Sequence, residues 1–264
     1  MRYCSLASSS KGNVSIVYTD TTKILIDAGI ALAELEMKLQ VLSVLPSEIS
    51  AIIITHEHGD HIRSVGAMNR KYGTPIYCHI AAYDSLITKL GKIKPNTIYT
   101  FADTPFSVGD LVVEGYKLPH DVPYCCGFNI YHNARKISFA TDLGHITEDI
   151  ISRFYDSRMV ILESNHDEDM LMSNPKYSYP LKQRIKGNNG HLSNIVCAKV
   201  ISRLAVNNVK QMVLAHLSEE NNTPQLCYKT VSNYLRSVGV EPEENIKIFI
   251  ADPYQLSPIF NITS

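Results

Sequence analysis

The residues with the clearest chemical potential form a short run of imidazole and carboxylate side chains. Three histidines and one aspartate fall within six positions of the stretch Thr55-His56-Glu57-His58-Gly59-Asp60-His61. For this composition, the odds of a chance HxHxDH pattern are on the order of one in a thousand. Neutral imidazole and carboxylate oxygen together suit Zn²⁺, Mn²⁺ or iron. In a tight turn His56 and His58 should point one way and Asp60 and His61 another, so the run predicts a loop that serves two neighbouring ions.

Two ions need more ligands than this loop supplies, and three further candidates each follow a predicted strand. His120 comes after an apolar run that ends at Leu118-Pro119, Asp142 comes after Ser138–Thr141, and His216 comes after Met212–Ala215. Loops at strand ends often carry functional residues on one rim of a fold. A lone histidine or aspartate there is more often a satisfied polar residue. Four strands that end in potential ligands, however, predict a shared metal centre.

The order of these residues resembles the five-motif signature of the metallo-β-lactamase superfamily, from Asp27 to His216. The resemblance implies an α+β fold, a four-layer αββα sandwich in which two mixed β-sheets pack face to face with helices outside. It also implies two divalent metal ions per chain, Zn²⁺ or Mn²⁺. The implied ligands are His56, His58 and His120 for one ion, Asp60, His61 and His216 for the other, and Asp142 as a bridge. Asp27 matches the family carboxylate that orients the histidine loop without binding metal.

Other stretches resemble a small bacterial exonuclease branch of this family, known as WalJ or YycJ. They are Leu6–Asn13, Leu162–Asp167, Gly190–Asn194, and His216-Leu217-Ser218 followed by Asn221-Asn222. The first departs from the branch, which usually has an additional glycine among its serines. An aspartate bridge without a cysteine ligand is similar to the hydroxide-bridged hydrolases and not to the antibiotic-degrading enzymes. This resemblance implies a 5′→3′ DNA exonuclease.

The expected mechanism is phosphodiester hydrolysis by a hydroxide that bridges two ions roughly 3.5–4 Å apart. Asp60 would orient the hydroxide or accept its proton, and the expelled 3′-oxygen would then need a proton. His166 and His191 are the candidates for that general acid, or for a donor to the phosphate. The alternative is that both histidines only support their neighbours, since Gly190-His191-Leu192-Ser193 is also an ordinary helix boundary.

A basic segment favours a phosphodiester polymer as the substrate. Between Met170 and Ala215 there is no acidic residue, and the segment carries seven cations, Lys176, Lys182, Arg184, Lys186, Lys199, Arg203 and Lys210. Tyr177 and Tyr179 can stack on bases. A solvated helix face is the alternative interpretation.

Five residues are predicted to contact the substrate. Lys182, Arg184 and Lys186 belong to the basic segment, whereas Ser9 and Asn13 belong to the polar stretch Ser8–Asn13, a loop that can present backbone N–H groups to an anion. An ordinary turn is the alternative for that stretch.

Two other functions remain open on the same residues. A small-molecule hydrolase, either a glyoxalase II-like thioesterase or a cyclic phosphodiesterase, could use the same dinuclear site, but a thioesterase would not need the basic segment. A non-catalytic module whose metals only hold loops is disfavoured, because structural zinc sites are normally closed by four protein ligands.

Composition limits the classes of protein to consider. The chain has 264 residues, 45% of them apolar, and 25 Lys+Arg balance 26 Asp+Glu, so any nucleic-acid contact must come from a local patch. No apolar run approaches the ~20 residues that span a bilayer, and no signal peptide is visible. Six dispersed cysteines without a metal-site spacing predict reduced thiols in a cytoplasmic protein: Cys4, Cys78, Cys125, Cys126, Cys197 and Cys227.

The elements that must position these residues are short strands with intervening helices. A hairpin is predicted at Val14–Thr19 and Lys23–Asp27, and helical spacing appears at residues 31–42, 191–205 and 224–238. No linker or repeat divides the sequence. We therefore expect one domain over residues 1–264, with two sets of mainly antiparallel strands, each followed by helices.

Overall fold

The computed structural model describes residues 1–263, and the chain divides into two compact units. The first unit comprises Met1–Lys117, Val122–Ala134 and the chain from Asp252 onward, whereas the second comprises Leu118–Asp121 and Arg135–Ala251. The single domain over residues 1–264 stays a prediction. No helix in residues 1–263 is long and apolar enough to cross a membrane.

Residues 1–263 contain 14 strands and nine α-helices. The strands are β1 Arg2–Ser9, β2 Gly12–Tyr18, β3 Lys23–Ile26, β4 Ala51–Ile53, β5 Ile76–His79, β6 Ile98–Phe101, β7 Phe106–Val108, β8 Leu111–Leu118, β9 Cys125–His132, β10 Arg135–Ala140, β11 Met159–Glu163, β12 Gln211–Ala215, β13 Lys247–Ile250 and β14 Phe260–Asn261. The α-helices are α1 Leu32–Val41, α2 Gly59–Ile62, α3 Val65–Tyr72, α4 Tyr83–Leu90, α5 Glu148–Ser152, α6 Glu168–Ser173, α7 Tyr179–Lys186, α8 Asn194–Ala205 and α9 Pro224–Ser237.

The first unit is built on a mixed sheet with the strand order β14-β1-β2-β3-β4-β5-β6. Strands β1 to β3 pair antiparallel, whereas β3 to β6 pair in parallel. The run Ala51–Ile54 is buried throughout, and α1 packs Leu35 and Leu39 into the same apolar core. Because β3 and β4 are parallel neighbours, the residues that follow them, Asp27 and Thr55, emerge at the same edge of the sheet.

The second unit contains four parallel strands in the order β13-β12-β11-β10. Ala140 of β10 lies opposite Leu162 of β11, and Leu162 lies opposite Leu214 of β12. These strands are almost wholly buried, as expected of a parallel sheet covered on both faces. Three successive strand ends therefore meet at one edge of this sheet.

Two expectations from the sequence are corrected. The strands are not mainly antiparallel, because β3 to β6 and β10 to β13 pair in parallel, and continuous apolar runs such as Ala51–Ile54 are typical of buried parallel strands. The stretch Ser8–Asn13 is also not a loop, because Ser8 and Ser9 end β1, Gly12 and Asn13 begin β2, and only Ser10 and Lys11 form the turn. The predicted hairpin β2–β3 and the helices at α1, α8 and α9 are confirmed.

Candidate active site

The stretch Thr55–His61, which we call the histidine loop, starts directly after β4. His56 and His61 are fully buried, and His58 is half-buried. His56 Nε2 and His58 Nδ1 are 3.0 Å apart, so the structure brings these two rings together. Asp60 lies beside His61, with Oδ2 3.4 Å from Nε2. Two nitrogen donors and a carboxylate–imidazole pair are thereby presented by a single turn of chain.

Asp27 fixes the histidine loop from the neighbouring strand end. Its Oδ1 accepts the Thr55 N–H at 2.8 Å, and its Oδ2 accepts the Thr55 hydroxyl at 2.7 Å. The same Oδ2 lies 2.7 Å from His61 Nδ1. Burial raises the pKa of Asp27, although His61 and Thr55 oppose that shift. Its backbone is left-handed, with φ 60°, which a residue with a side chain adopts at some cost in free energy.

Two residues of the first unit, Asn13 and Gly29, lie in close contact with the histidine loop. A Cβ atom on Gly29 would lie 1.6 Å from the Asp60 carbonyl oxygen, so only glycine fits between these two segments. Asn13 is also buried against the loop, with Nδ2 3.3 Å from Asp60 Oδ2 and 3.2 Å from His61 Nε2. The amide therefore contacts predicted ligand atoms.

In the second unit the strand ends bring together Asp142, Glu163, His191 and His216, which we call the Glu163 cluster. One ligand atom from each of these side chains lies within 4.8 Å of the others. Asp142 follows β10 and His216 follows β12, both with left-handed backbone at φ 62° and 57°. Strained non-glycine residues concentrate at functional sites, and here each stands directly behind a buried parallel strand.

Glu163 is the residue that sequence reasoning did not single out. It is fully buried, and Oε1 accepts N–H groups from His216 at 2.7 Å and His191 at 2.8 Å. Its Oε2 accepts the backbone N–H groups of Leu143 and Leu192, each at 3.1 Å. Burial raises the pKa of Glu163, but the two histidines outweigh it and hold this pKa well below its usual range. The sequence feature that could have identified Glu163 is its position as the last residue of β11, after an apolar run.

His120 and His191 complete the imidazole groups of the second unit. His120 Nδ1 lies 3.2 Å from the Gly190 carbonyl oxygen, and its ring centroid is 5.3 Å from that of His191. The His191 side chain is 22% exposed, and Nδ1 lies 3.8 Å from Asp142 Oδ1. Burial lowers the pKa of His191, but Glu163 and then Asp142 raise it further, so that it lies above its ordinary value.

His166 lies in a different environment from His191. It is 1% exposed, and neither ring nitrogen has a hydrogen-bond partner among residues 1–263. Burial lowers the pKa of His166 to about 4, despite the nearby carboxylate of Glu163. The ring is therefore neutral at pH 7 and does not reach solvent.

The predicted substrate cations lie on α7, which has no buried residue. Arg184 Nε donates to Asp121 at 2.7 Å, and Lys186 Nζ lies 3.3 Å from Glu168. Lys182 Nζ donates to the Met172 carbonyl oxygen at 2.7 Å. Acidic residues from outside the basic segment therefore offset part of its charge, which the sequence could not reveal.

Three of the predicted ligand rings show a common hydrogen-bond pattern. An oxygen holds Nδ1 in each, from Asp27 at His61, from the Gly190 carbonyl at His120 and from Glu163 at His216. A neutral ring that donates through Nδ1 carries its lone pair on Nε2, which is the form that binds a metal. Each of these rings therefore has the hydrogen-bond arrangement that suits a ligand of a divalent metal ion.

All six cysteines are buried, and each is a free thiol. Cys125 Sγ lies 3.8 Å from His56 Nδ1, behind the histidine loop. Burial raises the pKa of the Cys78 thiol to about 12 and that of Cys227 to about 11. These thiols are therefore protonated and poorly nucleophilic in the folded protein.

Several known proteins are similar to this chain over most of its length. The family model described as "Beta-lactamase superfamily domain" matches residues 22–217. Exodeoxyribonuclease YycJ of Bacillus anthracis is 30% identical over 254 residues, 96% of both chains. Exodeoxyribonuclease WalJ of Streptococcus pneumoniae serotype 2 (strain D39 / NCTC 7466) is 30% identical over 264 residues, 99% of this chain and 98% of its own.

A solved structure of similar fold is the metallo-β-lactamase fold protein YhfI from Bacillus subtilis. It superposes with a TM-score of 0.73 at 17% identity, and the match covers 97% of this chain and 98% of that one. This likeness confirms the predicted α+β fold class with two mixed sheets and helices. The family model and the full-length relatives lead to one conclusion: the chain is an enzyme of the metallo-β-lactamase superfamily.

Proposed function

We propose that this enzyme is a metal-dependent phosphodiester hydrolase of nucleic acid, and specifically a 5′→3′ DNA exonuclease of the cytoplasm. The observation that carries the proposal is the match, over 99% of the chain, to a protein named as an exodeoxyribonuclease. The free, buried cysteines suit a reducing compartment.

Seven side chains would hold two divalent ions, Zn²⁺ or Mn²⁺. His56, His58 and His120 would bind one ion, Asp60, His61 and His216 would bind the other, and Asp142 would serve both. When bound, such ions lower the pKa of water and stabilise the charge that develops on phosphoryl oxygens. The donor set supports this assignment, because His61, His120 and His216 each have Nδ1 held by an oxygen.

The surrounding residues would position these ligands and move protons. Asp27 would orient His61, and Glu163 would orient His216 and His191. Asp60 would accept the proton of the attacking water. His191 would protonate the leaving 3′-oxygen through Nε2, since its Nδ1 is held by Glu163 and its raised pKa keeps the ring charged near neutral pH. His166 suits this role less well because its ring is buried and neutral.

The substrate strand would contact the exposed face of α7. Tyr179 is 67% exposed and can stack on a base, while Lys182, Arg184 and Lys186 can reach phosphates. Arg184 and Lys186 would exchange their pairs with Asp121 and Glu168 for phosphate oxygens on binding. Because exposed ion pairs contribute little free energy, this exchange is inexpensive.

The test is digestion of end-labelled DNA and RNA with Mn²⁺ or Zn²⁺, beside the His58→Ala variant. We expect stepwise shortening of DNA from its 5′ end by the native enzyme and none by the variant. If neither polymer is cleaved with either metal, while a thioester or a cyclic phosphodiester is hydrolysed, the small-molecule alternative replaces this proposal.

A further inference from the structure

A small cavity of about 200 Å³ lies in the first unit, apart from the predicted metal ligands, and Ser9 is among the residues that line it. Its wall includes the turn between β1 and β2, through Ser9, Lys11 and Gly12, together with Arg63 and Tyr254. It is smaller than the ~300–1,000 Å³ typical of sites that enclose a whole small molecule. Its size therefore suits one chemical group of a longer ligand.

The cavity adjoins the histidine loop through short stretches of backbone. Arg63 comes two residues after His61, and Gly12 precedes Asn13, whose amide contacts Asp60 and His61. The chain also approaches the histidine loop at Gly29, where a Cβ atom would overlap the Asp60 carbonyl oxygen. Arg63 therefore brings a cation of the cavity wall to within two residues of the histidine loop along the chain.

The chemistry of the wall combines cations with an exposed aromatic ring. Lys11 and Arg63 are exposed, and Tyr254 is 60% exposed. The only carboxylate in the wall, Glu34, lies 3.5 Å from Lys38 Nζ, so its charge is compensated. Arginine and lysine bind phosphate oxygens, and tyrosine stacks on any base, which is the combination that binds a single nucleic-acid strand.

Tyr254 is held in place by its own segment. Its backbone N–H donates to Asp252 Oδ1 at 2.7 Å, and its carbonyl oxygen accepts Lys38 Nζ at 2.5 Å. The Ser9 hydroxyl accepts the Lys11 N–H at 3.1 Å and so fixes the turn opposite. The wall is therefore formed before a ligand arrives, which lowers the entropy cost of binding.

Resting on the proposed function, we infer that this cavity is a strand-binding subsite, in which Arg63 and Lys11 bind one phosphate of the nucleic-acid substrate and Tyr254 stacks on the adjacent base. Arg63 and Tyr254 would then determine how a strand is aligned with the histidine loop.

The experiment measures binding and not cleavage. The probe is a short single-stranded DNA with a 3′ fluorophore, and its anisotropy is followed in EDTA with the full chain. We expect Arg63→Gln to raise Kd about ten-fold, with partial rescue in Arg63→Lys, and to lower the salt slope by about 0.7. Tyr254→Ala should raise Kd about five-fold or more, whereas Tyr254→Phe should retain binding.

Lys92→Ala is the matched control, because it removes an exposed cation of the same unit that does not line the cavity. The inference would be overturned if Arg63→Gln and Tyr254→Ala both gave a Kd within two-fold of the Kd of Lys92→Ala. Probes with a 5′-phosphate and with a 5′-hydroxyl identify which phosphate is bound. If Arg63→Gln raises Kd only for the 5′-phosphate probe, the subsite binds the terminal phosphate. If it raises Kd equally for both probes, the subsite binds an internal phosphate.

The two proposals fail in different ways. If the native enzyme cleaves DNA while these variants bind like the control, only the subsite is wrong. If the native enzyme neither binds nor cleaves DNA or RNA, the proposed function is wrong and the subsite falls with it.

Discussion

At the scale of single residues, one carboxylate of the second unit organises two imidazole rings. Glu163 Oε1 accepts from both His191 and His216, and Oε2 is occupied by two backbone N–H groups. Both rings are therefore held with Nε2 turned away from Glu163. Carboxylates that orient histidine ligands often matter almost as much as the ligands themselves.

Removing the charge of Glu163 should weaken metal binding. In Glu163→Gln the amide N–H₂ group must face either the two histidines or the two backbone N–H groups. The donors that it faces then lose their acceptor oxygen. We expect a loss of about 10–100-fold in metal affinity, measured by chelator competition, and a matching loss of activity. Glu168→Gln, which alters an exposed partner of Lys186, is the control. Equal metal affinity in both variants would contradict the role given to Glu163.

The two candidate general acids should differ in the pH dependence of kcat. Because the pKa of His191 is raised, its ring carries a proton near neutral pH and loses it as the pH rises. Activity of the native enzyme should therefore fall on the alkaline side, and His191→Asn should lower kcat by about 10²–10⁴-fold and flatten that limb. His166→Asn should leave the fall in activity at alkaline pH unchanged. A flattened limb in His166→Asn alone would reverse the assignment.

His166 should instead affect stability in acid. The unfolded chain protonates this histidine near pH 6.5, whereas the folded protein does so only at a pKa of about 4. The unfolded state thus binds more protons in this window, and the free energy of unfolding falls as the pH drops from 6.5 to 4, by up to about 3 kcal/mol. Urea titrations at these pH values should show a smaller fall in His166→Gln. An identical fall would contradict the prediction.

At the scale of elements, parallel neighbours account for the placement of the reactive residues. Asp27 and Thr55 follow β3 and β4, Asp142 and His216 follow β10 and β12, and Glu163 ends β11. In each unit the parallel strands end at one edge, so residues far apart in the chain become neighbours. A glycine is required where the histidine loop approaches the chain beyond β3.

Gly29→Ala should therefore displace the histidine loop. The new Cβ would overlap the Asp60 backbone at 1.6 Å, and backbone cannot rotate aside as a side chain can. We expect a loss of roughly 2–3 kcal/mol in the free energy of unfolding, measured by urea titration, and weaker metal binding. Gly59→Ala is a control within the same loop, since a Cβ atom at Gly59 would have no neighbouring atom within 4 Å among residues 1–263, and it should change stability by no more than about 0.5 kcal/mol.

Sequence patterns predicted elements with an apolar stripe or a clear turn, such as the β2–β3 hairpin and helices α1, α8 and α9. They missed β1 because its polar and apolar residues do not alternate, although its serines are buried in the structure. They missed α7 because that helix buries no residue. The histidine loop was predicted from the residue types and spacing of one short run, whereas Glu163 was not singled out, because its role depends on contacts that form only on folding.

At the scale of the whole molecule, the reactivity of the cysteines measures whether the core stays closed. All six are buried and free, and burial raises the pKa of several thiols. We expect a thiol reagent to label none of them within minutes in the native protein, and all six in guanidinium without a reductant. Fewer than six in guanidinium would indicate a disulfide, and rapid native labelling would indicate that the core opens.

The left-handed backbone at Asp27, Asp142 and His216 has a consequence for protein engineering. At these three positions the role of the side chain and the local conformational preference oppose each other, since glycine would adopt such φ values without penalty. A library selected only for thermal tolerance should therefore drift toward glycine at Asp142 and yield more stable but inactive proteins, whereas Asp27 should persist because its carboxylate accepts the Thr55 N–H and hydroxyl. A library selected for turnover should hold all three unchanged and gather its stabilising substitutions elsewhere.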